Sequence, residues 1–300
     1  MEQRQFGRTG MQVSILGFGG AEIGFSDTDI TLVERVLDSA LDAGLNVIDT
    51  AECYKTSEEL IGKAVSYRRR DYYLFTKCGH SSGFDLPDWN PQMLKDSIDR
   101  SLIRLNTDYV DLVCLHSCDI DTLKQGDAIA VLQEARDAGK TRFIGYSGDG
   151  AAARYAIETD VFDALETSVN IADQEAITLT LPLAVKHNMG VIAKRPVANA
   201  VWRSSRREEV SDYNMTYWDR LQKLDYPFLR NENAGDVVAT SLRFTLTALG
   251  VHVAIVGTTN PDRYRQNAGA VNSGILPISQ FNAIRNRWNV VAQPDWVGQT

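Results

Sequence analysis

The sequence predicts an α/β fold: a closed (β/α)8 barrel of the TIM type with a short N-terminal β-hairpin and extended rim loops, in one domain over residues 1–300. Three observations predict it. Eight brief apolar runs alternate with eight longer segments of helical period. The runs are apolar continuously rather than at every second residue, as in parallel strands buried on both faces. Several of them end on a polar residue, as strands do when their carboxyl ends open on a functional rim.

The elements follow in order. Residues 5–13, turning at Arg8-Thr9-Gly10, read as the hairpin. The first run, 14–19, precedes a helical stretch at 28–43 that sets Ile30, Val33, Val36, Leu37, Ala40 and Leu41 on one face and stops at Gly44. Run and helix then recur at 46–49 with 57–65, 72–77 with 91–105, 109–116 with 120–138, and 142–147 with 150–158. The last three pairs are 164–169 with 177–187, 190–195 with 234–249, and 253–257 with 261–270. A doubly wound sheet is the competing architecture. Its glycine fingerprint fails here, because Gly17-Phe18-Gly19-Gly20-Ala21-Glu22 carries a carboxylate where the third glycine must stand.

A formal net charge of −8 makes nucleic acid an unfavourable partner, so any bound anion needs a local cluster of donors. The first ten residues lack the apolar core of a signal peptide, and no stretch reaches the roughly 18 apolar residues of a membrane span. The expectation is a cytoplasmic protein without membrane contact, a monomer or weak homo-oligomer. Cys53, Cys78, Cys114 and Cys118 show no scaffold spacing and are expected as free thiols.

Function gathers where the strands end. The second run closes on Asp49 with Tyr54 five residues on, the third closes on Lys77 and the fourth on His116. Each residue alone has an ordinary reading as helix cap, surface ion pair or core histidine. Together, from three neighbouring strands of one rim, they describe an acid tuned by a cation that a carboxylate holds. A metal-dependent barrel hydrolase would instead draw on Asp49, His116 and the cysteines. The chain has neither a Cys-x-x-Cys pair nor a His-x-His strand end, so no metal is expected.

Asp49-Thr50-Ala51-Glu52-Cys53-Tyr54 with Ser57-Glu58, Phe75-Thr76-Lys77 and Asp111-Leu112-Val113-Cys114-Leu115-His116 resemble the motifs of the aldo-keto reductases, of the short-loop prokaryotic type, along nearly the whole chain. The resemblance implies reduction of an aldehyde or ketone to an alcohol, or the reverse, with NADPH/NADP as cofactor and NAD possible. It makes Tyr54 the general acid, Lys77 the cation that lowers its pKa, Asp49 the holder of Lys77, and His116 the residue that orients the carbonyl oxygen. A free tyrosine titrates near pH 10, so the chemistry calls for such an ammonium. A non-catalytic subunit that binds cofactor and senses its redox state is the alternative.

Cofactor contacts are implied residue by residue. Gly257, Thr258, Thr259 and Arg263 fall at phosphate positions, and Gln266 and Asn267 face the adenine, after the eighth strand and at the head of a helix that favours anions. Many relatives have lysine where Gly257 stands and glutamate where Gln266 stands. Ser147, Glu166 and Asn170 fall at nicotinamide positions, with Glu166 where glutamine is usual and Gly148 where asparagine is common. Gly20, Ala21, Lys194, Arg195, Pro196, Ala198 and Asn199 complete the expected cofactor set. The long connection 196–233 also holds Trp202, Arg203, Arg206 and Arg207, which read as a solvated basic face. Phe25, Trp89, Ser117 and Trp296 are the expected walls for a small carbonyl or alcohol substrate.

Overall fold

In the computed structural model, which describes residues 1–230 and 233–299, eight parallel strands close into a barrel. They are β3 (Leu16–Gly19), β4 (Val47–Asp49), β5 (Tyr73–Cys78), β6 (Val110–His116), β7 (Thr141–Ser147), β8 (Ala164–Ser168), β9 (Gly190–Lys194) and β10 (Val253–Val256), neighbours in chain order, with β10 returning to β3. The closure register pairs Ala254 with Leu16 and Val256 with Phe18. Asn231 and Glu232 of the long connection, and Thr300, lie outside the described residues.

The hairpin is built by β1 (Gln3–Gln5) and β2 (Gln12–Ser14), which pair antiparallel around a single 3-10 turn over Gly7–Thr9. It plugs the amino-terminal floor. Phe6 and Val13 are fully buried there, in one apolar cluster with inward residues of the barrel: Val47, Phe75, Leu112, Ala164, Ile192 and Val253. Phe6 stacks on Phe75 at 5.6 Å. The turn comes so close to β9 that a Cβ on Gly7, whose φ is +51°, would strike the backbone of Gly190. Only glycine fits that approach.

The helices are α1 (Ala21–Phe25), α2 (Ile30–Asp42), α3 (Ser57–Val65), α4 (Pro91–Arg104), α5 (Ile120–Gln125), α6 (Asp127–Asp137) and α7 (Gly150–Glu158). They continue with α8 (Glu175–Leu179), α9 (Leu181–Lys186), α10 (Asp212–Leu224), α11 (Ala234–Thr247), α12 (Arg263–Asn272) and α13 (Ile278–Val291). Two expected helices are broken. The stretch 120–138 divides at Gly126, which takes φ +82°, and 177–187 divides before Pro182, which sits in the first turn of α9 where its missing N–H costs nothing. Three others were not expected at all: the short α1 ahead of the first expected helix, α10 inside the long connection and α13 after the eighth unit. Tyr217, Leu221, Leu224, Ile284 and Trp288 of the last two form a second cluster with Ile171, Ala172 and Ala198, so α10 and α13 back the loops that follow β8 and β9.

Candidate active site at the carboxyl mouth

The loop after β4 is held by backbone bonds to the next strand: Thr50 N–H donates to Phe75 O at 2.9 Å and Glu52 N–H to Lys77 O at 3.1 Å. From the other side α1 lies on it so closely that a Cβ on Gly24 would collide with the Tyr54 carbonyl. Tyr54 is thereby fixed beside Lys77, whose ammonium stands 5.2 Å from the tyrosine ring centroid.

Lys77 is buried between two carboxyl groups. Its Nζ donates to Asp49 Oδ2 at 2.6 Å and to the Thr50 carbonyl at 2.9 Å, and lies 3.3 Å from Glu166 Oε2. Lys77, Asp49 and Glu166 are 1%, 2% and 2% exposed. Burial and the neighbouring Glu166 push the Asp49 carboxyl well above its usual range, against the pull of Lys77. Burial also opposes the ammonium, but the carboxylates outweigh it and hold Lys77 charged. For Tyr54 the balance falls the other way from the expected tuning. Burial pushes the phenol upward and Lys77 only offsets part of that, so the group keeps its proton as a donor must.

His116 meets Tyr54 edge-on at 5.8 Å. Burial first, then Lys77 and His80, hold it well below the ordinary imidazole range, so it is neutral. Its Nδ1 lies 3.5 Å from Cys53 Sγ, and burial pushes that thiol up to about 11. A thiol that keeps its S–H can donate to Nδ1, the arrangement in which the ring proton stands on Nε2. Burial likewise raises the thiols of Cys78, Cys114 and Cys118, and all four cysteines are free. None of them is an activated nucleophile. Among the described residues no group of three or more His, Cys, Asp or Glu side chains is placed to hold a metal ion.

Phe25 lies 5.8 Å from Tyr54, His80 lies 4.8 Å from His116, and Trp89 lies 5.8 Å from His80. With Trp89 donating to the His116 carbonyl at 3.1 Å, these rings form one continuous aromatic wall. Ser117, at φ +57°, continues the chain past His116 and donates its N–H to Ser147 O at 2.7 Å. Trp296 is not part of that wall. It packs on Trp288 and lies under Arg220 and Lys223, in the cluster behind the β8 and β9 loops. His80 was not singled out from sequence; its only signal is its position three residues beyond Lys77.

The opposite side of the mouth is lined by polar atoms that lack partners. Strand register aligns His116 with Ser147 and Ser147 with Glu166. Ser147 Oγ and Asn170 Nδ2 are buried and make no hydrogen bond among the described residues. The Asn170 amide is oriented by its Oδ1, which accepts from Ala172 N–H at 2.8 Å. Lys194 is engaged by Asp149 at 2.9 Å. Arg195 donates to Tyr213 Oη at 2.8 Å, Ser168 Oγ at 2.9 Å and the Gln299 carbonyl at 2.5 Å, so the tail of the chain is tied across this side. The Pro196 carbonyl accepts from Thr245 at 3.1 Å, and Asn199 donates to Asn214 at 2.7 Å. Ala198, Asn199 and Ala200 all take left-handed backbone, φ +45°, +52° and +53°, a run of strain that only the surrounding packing sustains.

Beyond β10, Gly257 is exposed beside Glu22, and Thr258 Oγ1 accepts from Asn260 N–H at 3.0 Å. Thr259 is half-buried and Arg263 opens α12. Gln266 is exposed, while Asn267 is buried with its Nδ2 unpaired among the described residues. Gly20 and Ala21 begin α1 across from Gly257, and Gly20 N–H donates to Asp49 O at 2.8 Å. Arg206 and Arg207 are exposed and paired with Glu209 and Asp219, as a solvated face requires.

A closed parallel barrel with Asp49, Tyr54, Lys77 and His116 gathered at its carboxyl mouth is the frame on which this chain matches known oxidoreductases. The sequence profile of the Aldo/keto reductase family matches residues 15–289, and the chain belongs to that family. It is 27% identical over 304 residues to the uncharacterised oxidoreductase YqkF of Bacillus subtilis (strain 168), covering 95% of this chain and 96% of the relative. It is 24% identical to a probable voltage-gated potassium channel subunit beta of Arabidopsis thaliana, over 93% of each chain. The solved structure of the aldo-keto reductase AKR11C1 from Bacillus halodurans, in its holo form, matches with a TM-score of 0.79 at 26% identity over 96% of both chains.

Proposed function

We propose that this protein transfers hydride between a nicotinamide dinucleotide, NADPH by preference, and a small carbonyl or alcohol. The observation that carries the reading is the pair of buried atoms without partners among the described residues, Ser147 Oγ and Asn170 Nδ2, with Ser147 in register with Glu166. A leftover hydroxyl and N–H with a carboxylate match the oxygen and NH2 of a carboxamide, and such orphans are retained where a ligand satisfies them. The dinucleotide would supply the hydride. Arg195, Ala198, Asn199, Gly257, Thr258, Thr259 and Arg263 would line its phosphates, with Lys194 and Pro196 beside the nicotinamide, Gln266 and Asn267 at the adenine and Gly20 and Ala21 alongside.

This chain's own residues handle the proton. Tyr54, kept protonated by burial, donates to the carbonyl oxygen. Neutral His116, with its proton on Nε2, donates a second hydrogen bond to that oxygen and fixes its direction. Lys77 stays charged and steadies the phenolate that remains. Phe25, Trp89 and Ser117 bound the substrate and exclude water.

The 2′-phosphate preference rests on Arg263, which heads α12 where the helix dipole also favours an anion. Its field lowers Glu22, although burial raises that carboxyl overall. The carboxylate opposes a phosphate, so the preference is modest. Charge-assisted bonds of this kind are worth about 1.5–3 kcal/mol, and Arg263→Ala should weaken NADPH by roughly tenfold while sparing NADH. Titration of both cofactors by tryptophan fluorescence in wild type and variant checks this; equal losses for both would remove Arg263 from the 2′-phosphate. A second reading, a subunit that binds cofactor and reports its redox state, draws on the likeness to the channel subunit. Steady oxidation of NADPH across a panel of aldehydes, quinones and keto-sugars decides between the two.

A further inference from the structure

We propose that Glu166 sets this protein's preference between oxidised and reduced nicotinamide: with Asp49 and Lys77 it forms a buried unit that holds one proton in the free protein and releases it when a cation is seated at the mouth. The inference rests on the cofactor reading above.

Two carboxyls share one ammonium, 2.6 Å and 3.3 Å away, in a site that is almost solvent-free. Ionised together, they leave one negative charge without a counterpart, which a buried environment strongly disfavours. Neither Asp49 Oδ1 nor Glu166 Oε2 makes a hydrogen bond among the described residues. Among the described residues no neighbouring group supplies the missing charge. Lys194, from β9, is taken by Asp149, and Arg195 by Tyr213, Ser168 and Gln299. The flanking strand β7 brings only Ser147 to this level. Tyr54, from the β4 loop, and Cys114, from β6, are raised by burial, and His116 is neutral. Two ways of balancing the unit are left: a proton, which burial and the Glu166 charge hold on Asp49, or a positive group from outside.

The oxidised nicotinamide ring is a cation and the reduced ring is neutral. A cation beside Glu166 replaces the proton, which passes to solvent; no electron moves and no bond other than O–H breaks. The oxidised cofactor gains this interaction and the reduced one does not. Glutamine at the same place would keep the shape and the acceptor without the charge.

Three measurements on the full chain test this, comparing wild type with Glu166→Gln and with the charge-preserving Glu166→Asp. Calorimetric titration of NADP and NADPH in buffers of different ionisation enthalpy should show close to one proton released per NADP bound at pH 7 in wild type, none with NADPH, and none with either in Glu166→Gln. The ratio of oxidised to reduced affinity should fall by roughly tenfold or more in Glu166→Gln and be restored towards wild type in Glu166→Asp. Infrared spectra of the free protein should contain a protonated buried carboxyl that Glu166→Gln lacks. Unchanged proton release and affinity ratio in Glu166→Gln would overturn the proposal. If wild type binds neither cofactor form, the cofactor reading falls and this inference with it, an outcome told apart by the wild-type minus Glu166→Gln difference in the carboxyl band, in which Glu58 and Asp173 cancel and no cofactor is needed.

Discussion

At the floor of the barrel the inward residues Val47, Phe75, Leu112, Ala164 and Ile192 close on Phe6, Met11 and Val13 of the hairpin in one apolar cluster. Two residues further along three of the same strands, the inward positions are Asp49, Lys77 and Glu166. Burying the first set is favourable by about 25 cal/mol per Å² of apolar surface; burying the second costs desolvation that its internal pairing only partly returns. The comparison separates what holds the barrel together from what the barrel holds in readiness, within one set of strands.

Tyr54→Phe should break the mouth without touching the floor. Turnover is expected to fall by roughly 10² to 10⁴ with cofactor affinity and melting temperature little changed; more than a third of wild-type turnover in an assay limited by chemistry would remove Tyr54 as the proton donor. Phe6→Ala should do the reverse. Loss of a fully buried ring at 0% exposure is expected to destabilise by about 3–5 kcal/mol, read by urea unfolding, while turnover per folded molecule stays at the wild-type value.

Glu58 sharpens the contrast through pH. It sits on α3 behind the mouth, accepts from Thr76 at 2.7 Å, and burial pushes its carboxyl up to about 7. A carboxyl raised in the folded state contributes stability that is complete below its unfolded value near 4.5 and is lost as pH climbs through about 7. Asp173, also raised to about 7 by burial, acts in the same direction. Wild type should therefore lose stability between pH 5 and 7, by up to about 1.4 kcal/mol per pH unit for each group, and Glu58→Gln should flatten that slope. Identical slopes in melting experiments would show that Glu58 does not titrate there. The smallest effect is Ser147→Ala. Deleting an unpaired hydroxyl should leave stability within about 0.5 kcal/mol of wild type, yet weaken cofactor binding severalfold; a substantial loss of stability would mean that Ser147 has a structural partner.

Local pattern made most of this frame legible. The eight units follow from apolar runs alternating with helical period, and the rim set Asp49, Tyr54, Lys77 and His116 follows from asking which polar residue ends each run. What escaped was set by distant parts of the chain. No strand precedes α10 or α13, so neither entered the alternation. Trp296 looked like a wall of the substrate site, but its partner is Trp288, eight residues back on α13. Lys77 was expected to bring the Tyr54 phenol down, and spacing could not reveal that burial outweighs it. Arg195 carries no sequence sign that the Gln299 carbonyl would engage it.

The floor plug also has a timetable. Arg8 bonds Asp160 and Asp163, and Arg4 reaches the Val251 carbonyl, 247 residues away. The hairpin is synthesised long before the strands it closes on, and is therefore among the last parts of the barrel to find its seat. At about 5–20 residues per second, some 12–50 s of synthesis separate Arg4 from Val251, and throughout that interval Phe6 and Met11 have no barrel to enter. Contacts of such long sequence separation slow folding because loop closure must precede any gain. The polar residues that flank these two, from Glu2 to Gln5 and again at Gln12, suit a segment that must wait in water.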